Sequence, residues 1–504
     1  MREQLKNLIE QIIPVCSSWI VREDDGLEYF IDPIDKKEIS AHYGATHAAA
    51  AFILWGKYRG NDVLYEKGIN LLRSILKRWE INTGLPAFHF DFNNFALTII
   101  EPFVDNQTVS LIKNTVCKTN DSNHNTINWL PMRWAVNLKR AAWSKDDKFQ
   151  NIINTCKNTI SKAINADGGI EDRLPNGKSF NLQYDLATVA ILQYLCIHGE
   201  HIDISKELGF LLNSVAPDGD INYQGRGTNQ IFAWGLWIYL LASSGQMTEL
   251  KCALDYLKPR LLIMLSHNNM MLNEWEGEDK YLWWDYHYTS VYTAHCLLWL
   301  IMAYLDIDKN RIIPVFPASY ESGLHIHRSE NFFVSWFNGR KEYLAEQGPT
   351  IAAIWTKSQG MICKGSFGPW QGFFGNKYIY ENVILNNYCG LLEVKHNFDV
   401  TKKKYLHKLL PELTTKTSCT FSPVFCPISV MENNNNLVIV WAYQGKSELI
   451  FNLPSISLSC DIELWTDDKI IPVFCNSIFK NQYGWVHLFQ SRAFKAHHIK
   501  LVIK

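Results

Sequence analysis

From residue 41 to about residue 305 the chain alternates two kinds of helical pattern. AHYGATHAAAAFILWGKYRG is apolar or small at nearly every position, and Gly60 and Asn61 break it before VLYEKGINLLRSILKRW resumes with one apolar face. This is a helix hairpin with a short turn. The alternation recurs in TINWLPMRWAVNLKRAAW and DDKFQNIINTCKNTISKAI, then in NLQYDLATVAILQYLCIHG and DISKELGFLLNSV. It recurs again in TNQIFAWGLWIYLLASSG and MTELKCALDYLKPRLLIML, and DYHYTSVYTAHCLLWLIMAYL closes the series. One helix of each pair is apolar all round and its partner is amphipathic, as buried inner and half-exposed outer helices of an α/α toroid must be. The pairs recur at roughly 45–60 residues, too irregular for a short-period solenoid. MREQLKNLIEQIIPVCSSWI, at the start, is a further amphipathic helix.

The texture changes after Asp308. Short β-branched and aromatic runs such as NFFVSWF, TIAAIWT, NLVIVWAYQ and GWVHLFQ are separated by Gly, Asn, Pro and Asp, and helical periodicity is lost. The fold expected is α+β and multidomain. Residues 1–307 form an α/α toroid, an incomplete barrel of helical hairpins, and 308–322 a linker. Residues 323–504 form an antiparallel β-sandwich with a break near 400–418.

Composition narrows the function. Aromatic residues make up 13% of the chain, with 18 Trp, 22 Tyr and 26 Phe. Such rings suit stacking on the apolar faces of sugars. The formal net charge of −1 provides no global field for nucleic acid or an anionic membrane. An anionic ligand must therefore meet a local cluster of cationic and amide groups. The 12 Cys are scattered without a zinc spacing, which points to reduced thiols and a reducing compartment. The first residues lack the features of a secretory signal, and no run is long and apolar enough to span a bilayer. The expectation is a cytoplasmic protein without metal or cofactor.

Four polar clusters fall where apolar helices begin. In SNHNTINWLPMRWAV, Asn125 and Asn128 share a helical face and Trp129 follows directly; Asn123 and Asn125 also suit capping. In NLQYDLATVAIL, Asn181, Tyr184 and Thr188 share a face, flanked by Gln183 and Asp185. In GRGTNQ, small neighbours open access to Arg226, and Thr228 and Asn229 lead into the next helix. In KYLWWDYHYTSVYTAH, Trp283 and Trp284 form a stacking platform beside His287, Tyr288, Tyr292 and His295. His42 and His47 open an inner helix, and His325, His327 and Arg328 open the β part.

The helical-then-β layout resembles the heparinase II/III-like and hyaluronate/chondroitin lyase families. HNTINWLPMRW resembles their catalytic Asn region, DGGIEDRLPNGKSFNLQYDLA their Tyr region, and GRGTNQ an Arg-bearing loop. The likeness covers most of the chain in layout and a few short segments in motif. A His beside the Tyr is usual in those families, whereas Gln183 and Asp185 stand here. The resemblance implies a polysaccharide lyase acting on an acidic polysaccharide or oligosaccharide by β-elimination. Asn128, Tyr184, Arg226 and His287 would be catalytic. Trp129, Asn181, Gln183, Asn229, Trp283, Trp284, Tyr288, His327 and Arg328 would bind substrate. A uronate C5 proton is weakly acidic, so its removal needs neutralisation of the carboxylate, a base, and an acid for the leaving oxygen. Alternatives are a uronyl C5-epimerase, a toroid hydrolase drawing on Asp167, Asp172, Asp185, Asp218 or Asp220, and a glycan-binding protein without catalysis.

Overall fold

The computed structural model describes the 504-residue chain except residues 87, 123–125, 145, 174–178, 225–228, 270, 273–287, 339–348, 365–376, 381–382, 387–395, 399–416, 420–427, 434, 443–450, 458–460, 482–483 and 493. Twelve α-helices are described: α1 Arg2–Ser18, α2 Gly44–Arg59, α3 Asp62–Glu80, α4 Phe90–Ile100, α5 Asn106–Lys118, α6 Leu130–Ser144, α7 Asp147–Ala163, α8 Leu182–Ile197, α9 Ser205–Ser214, α10 Trp234–Ser243, α11 Met247–Ser266 and α12 Thr289–Leu305. The even-numbered helices are buried along most of their length, and α2, α10 and α12 are apolar or small nearly all round. Each packs on its two even-numbered neighbours, and α12 packs on both α10 and α2. The inner ring therefore closes, where the sequence predicted an incomplete barrel. Closure depends on small residues at the α12 seams. A Cβ on Gly44 would lie 2.9 Å from Val291 Cα, and one on Gly235 2.7 Å from Cys296 Cα. Backbones this close exclude any larger side chain.

The outer helices carry one apolar stripe, as in α3 and α7, and lean on the inner ring. Asn61, Asp105 and Asp146 cap α3, α5 and α7 by accepting from Leu64 N, Thr108 N and Lys148 N. Because each outer helix runs back along the ring, all inner helices point the same way. Their N-termini meet at one end of the barrel, here called the mouth.

Residues 308–316 climb the outside of the toroid. Asp308 N and Ile312 N donate to the Ala242 and Ser244 carbonyls at the far end, and Val315 N donates to Ser205 O on α9. Nearer the mouth, Ser322 N donates to Asp167 Oδ2.

Antiparallel sheets follow. The first is four-stranded, with β1 (Leu324–Arg328), β2 (Phe332–Asn338), β3 (Pro349–Thr356) and β4 (Gly360–Lys364) in sequential order. Strand alternation gives it two buried faces: Phe333 and Ala353 join the toroid's core, while Phe332, Val334 and Ile354 join a second core. That second core also takes Leu437, Trp441, Leu464 and Leu501 from a five-stranded sheet. The first sheet is thus held between the toroid and the five-stranded sheet. It is fastened on the mouth side. Arg328 donates to the Asn213 and Val215 carbonyls at the end of α9. Lys364 Nζ enters the toroid and bonds Asp220 Oδ2 at 2.8 Å, Tyr256 Oη at 3.0 Å and Asn229 Oδ1 at 3.4 Å.

Candidate functional site

The mouth is ringed by aromatic and polar side chains from every inner helix. His42 precedes α2 and His89 precedes α4; their rings stack at 4.1 Å. Asn93 fixes the pair from behind. Its Nδ2 donates to the His42 and His89 carbonyls, and its Oδ1 accepts from Thr46. His89 Nδ1 lies 2.9 Å from the Ala41 carbonyl. A carbonyl only accepts, so Nδ1 carries the proton and Nε2 is the basic nitrogen of the neutral ring. Tyr288, just before α12, meets His42 edge-on at 4.9 Å. On the other side Trp129 meets His89 at 5.2 Å and lies parallel to Phe88 at 6.1 Å. Phe88 is among the more exposed rings of the protein, so this pair offers a flat apolar wall.

Asn128 and Trp129 sit on a 3-10 turn (Ile127–Trp129) that leads into α6 and packs on α8. Asn128 is 4% exposed, and its Oδ1 has no hydrogen-bond partner among the described residues. A buried amide with an unused end is costly in a core and suits a group awaiting a ligand. Tyr184 stands half-buried in the first turn of α8, its ring edge-on to Phe232 at 6.1 Å. Phe232 in turn meets Tyr292 of α12 at 5.6 Å. Asn128 and Tyr184 therefore lie on packed neighbouring elements of the same opening.

Other predicted residues have different surroundings. Asn181 caps α8 by accepting from Gln183 N, and buried Gln183 donates from Nε2 to the Ile221 carbonyl at 3.0 Å. Asn229 is 3% exposed and bonded to Lys364. It is a left-handed residue (φ 59°) that ties Asn222 O and Leu272 N together. Arg328 is committed to the end of α9, and His327 lies half-buried on β1. Asn181, Gln183, Asn229 and Arg328 are thus tied into the framework of the mouth and the β junction. Arg226, His287, Trp283 and Trp284 lie outside the described residues, as do Asn123, Asn125 and Thr228. His89, Phe88 and Asn93 were missed: FHFDFNNFALTII carries the helical spacing, with a His at its opening, but its buried Asp and Asn residues obscure the apolar pattern.

Below the mouth, burial drives His47 down to about 3, and it holds His295 far below the usual imidazole range. Both are neutral. His47 Nδ1 donates to Tyr43 O, and the two rings lie 5.1 Å apart under Tyr43, Phe92 and Phe232. Carboxylates near the mouth are also withdrawn. Asp91 is wholly buried against Arg133 at 2.9 Å. Burial pushes Asp185 well above the ordinary carboxylate range, reinforced by Asp167, Glu207 and Glu171. Among the described residues, no group of three or more His, Cys, Asp or Glu could hold a metal ion.

Helix N-termini supply the remaining field. A helix N-terminus carries N–H groups without intrahelical partners and about half a positive charge, although Asn181 caps α8 and Asp32 caps α12. The N-cap residues of α2, α4 and α10 make no side-chain cap; among the outer helices those of α3, α5 and α7 do, and those of α1, α9 and α11 do not. The mouth thus sets helix N-termini beside an apolar wall.

No protein-family model matches the chain, and no curated protein matches it in sequence. Solved structures similar to it include the GH76A α-1,6-mannanase of Salegentibacter sp. HEL1_6, with 11% identity and a TM-score of 0.41, covering 60% of this chain and 98% of that one. A glycosyl hydrolase family 88 protein from Bacteroides vulgatus has 12% identity and a TM-score of 0.40, covering 60% of this chain and 99% of that one. A polysaccharide lyase has 10% identity and a TM-score of 0.38, covering 59% and 97%. Likenesses this distant assign no activity to the chain.

Proposed function

We propose that the mouth binds an acidic, uronate-containing glycan and cleaves it by β-elimination. One observation carries the reading. The polar groups that ring the opening among the described residues are amide, imidazole and phenol, while the nearby carboxylates are buried or paired. A glycosidase needs two carboxylates facing the scissile bond. Proton abstraction beside a neutralised carboxylate needs the other set.

In this reading Trp129 and Phe88 stack on a sugar face. The Asn128 amide and the helix N-termini draw charge from the uronate carboxylate. His89 Nε2 or the Tyr184 phenolate accepts the C5 proton, the electron pair forms the C4–C5 double bond, and the C4–O bond breaks. The other of the two returns a proton to the leaving oxygen. Arg226 and His287 are proposed, on sequence alone, as further partners of the carboxylate.

The test is incubation with a panel of uronate polysaccharides while following the ultraviolet absorbance of the unsaturated product. Absorbance that grows with chain scission supports elimination. Scission without it means hydrolysis, and solvent deuterium at C5 without scission means epimerisation; either outcome overturns the proposal.

A further inference from the structure

At the end of the barrel opposite the mouth lies a cavity of about 560 Å³. The C-terminal parts of α2, α4, α8 and α12 and one side of α6 line it. Buried aromatic side chains lie between it and the mouth. Phe95, Trp299 and Tyr239 fill the axis between them, with Trp299 stacked on Phe95 at 5.7 Å and edge-on to Tyr239 at 4.9 Å. The neutral His47–His295 layer lies above that plug. An inner helix of 16 residues sets the two ends about 24 Å apart.

Leu54, Ile99, Leu138, Leu195 and Met302 supply apolar wall, and the volume is in the range that holds a small organic ligand. The rim is cationic. Lys57, Lys139 and Lys309 line the cavity. Lys309 is paired with Asp306 at 2.8 Å, and Lys139 shares Glu101 with Lys113. Lys57 has no carboxylate partner among the described residues and lies 5.6 Å from the Tyr65 ring. These lysines are not needed to satisfy the helix ends. Gly60 N and Asn61 N already meet the last carbonyls of α2, and Gly199 N and Glu200 N meet those of α8. Asp306 is also spent, since it accepts from Tyr239 Oη as well as from Lys309.

We propose that this cavity is a second ligand site, independent of the mouth and of any reaction there, which takes an amphipathic carboxylate. The apolar body fills the space between α6 and α12, and the anionic head sits at the rim by Lys57 and Lys139.

The probe is decanoate, titrated calorimetrically into the full chain below its micelle concentration, with decyltrimethylammonium as the same chain bearing the opposite charge. Half-buried Leu138 and Leu305 allow Leu138→Trp and Leu305→Trp to fill the cavity from opposite walls. Each should weaken decanoate binding at least about tenfold, and Lys57→Gln should weaken it about two- to fivefold. Circular dichroism of each variant confirms that it is folded, and either filling variant alone suffices. Absence of saturable decanoate binding would overturn the proposal. So would equal affinity for the cationic chain, or binding unmoved by a folded filling variant.

Discussion

Lys364→Met should uncouple the β region from the toroid. Lys364 is 7% exposed and Asp220 is fully buried. Burial raises the Asp220 carboxyl, but the Lys364 ammonium and bonds from Asn222 N and Tyr256 outweigh it, so the net direction is down. Met fills the space of the aliphatic stem and deletes only the charge. Asp220 would keep the Tyr256 and Asn222 bonds while its charge stayed buried without a counter-ion. Breaking one partner of such a pair costs about 3–5 kcal/mol. Asp220→Asn should cost a similar amount by stranding the ammonium, and the double variant should cost clearly less than the sum. The effect depends on pH in a fixed direction. A lowered folded-state pKa stabilises above the ordinary carboxylate range and is lost as pH falls through the folded value. The Lys364→Met penalty is therefore greatest near neutrality and shrinks in acid, where the stranded Asp220 takes up a proton. Urea unfolding followed by helical circular dichroism, with hydrogen exchange read at Asn222 and Asn229, measures both parts. Strict additivity in the cycle, or a Lys364→Met penalty below about 1 kcal/mol at neutral pH, would refute the argument.

The remaining predictions concern packing, pH and rate. Gly235→Ala and Gly44→Ala place a methyl within 3 Å of α12 backbone, so each should destabilise by about 1–3 kcal/mol in thermal melts despite Ala's better helix propensity. Burial raises Glu207 to about 7, a contribution that is fully present below the ordinary Glu range and lost as pH rises through 7. Glu207→Gln should therefore melt higher than wild type at pH 8, by an amount of order 2–3 kcal/mol, with the gain gone in acid. On the elimination reading, Tyr184→Phe and His89→Gln should each lower kcat about 10²–10⁴-fold with unchanged melting, and Asn128→Ala about 10²–10³-fold. Full turnover in folded Tyr184→Phe would remove its proposed role.

The hairpin series was legible because α2, α8, α10 and α12 bury nearly every side chain while α3 and α7 bury one stripe. Helix α4 was not. Asp91, Asn93 and Asn94 are buried in it, and each bonds to a residue far along the chain: Arg133, Thr46 and Thr119. A local window sees only polar interruptions. His89 was hidden for the same reason, since Ala41, His42 and Asn93 position it. Lys364 ends an apolar strand, where a lysine ordinarily faces solvent; only the tertiary fold brings Asp220 to it. Asn128 and Tyr184 could be picked out because each opens a helix, a local property. Gln183 and Asn181 were singled out on the same property, yet one feeds a neighbouring backbone and the other caps its own helix. Position at a helix opening identifies the mouth but does not separate its wall from its framing.

That framing explains why the two ends of one barrel carry different chemistry. Parallel inner helices make the barrel polar, with N–H donors at one end and carbonyls at the other. At the carbonyl end, backbone N–H groups after α2 and α8 close the helices, leaving lysines for the rim. At the donor end, α12 receives Asp32 on Ser290 N from the N-terminal region, and α8 is capped by Asn181. The N-cap residues of α2, α4 and α10 supply no such bond. The stacked histidines stand before α2 and α4, and Phe232 stands just before α10. At the mouth, α2, α4 and α10 thus open beside the aromatic and imidazole part of the ring. Donor field and stacking surface converge there, and the uronate glycan proposed above would draw on both.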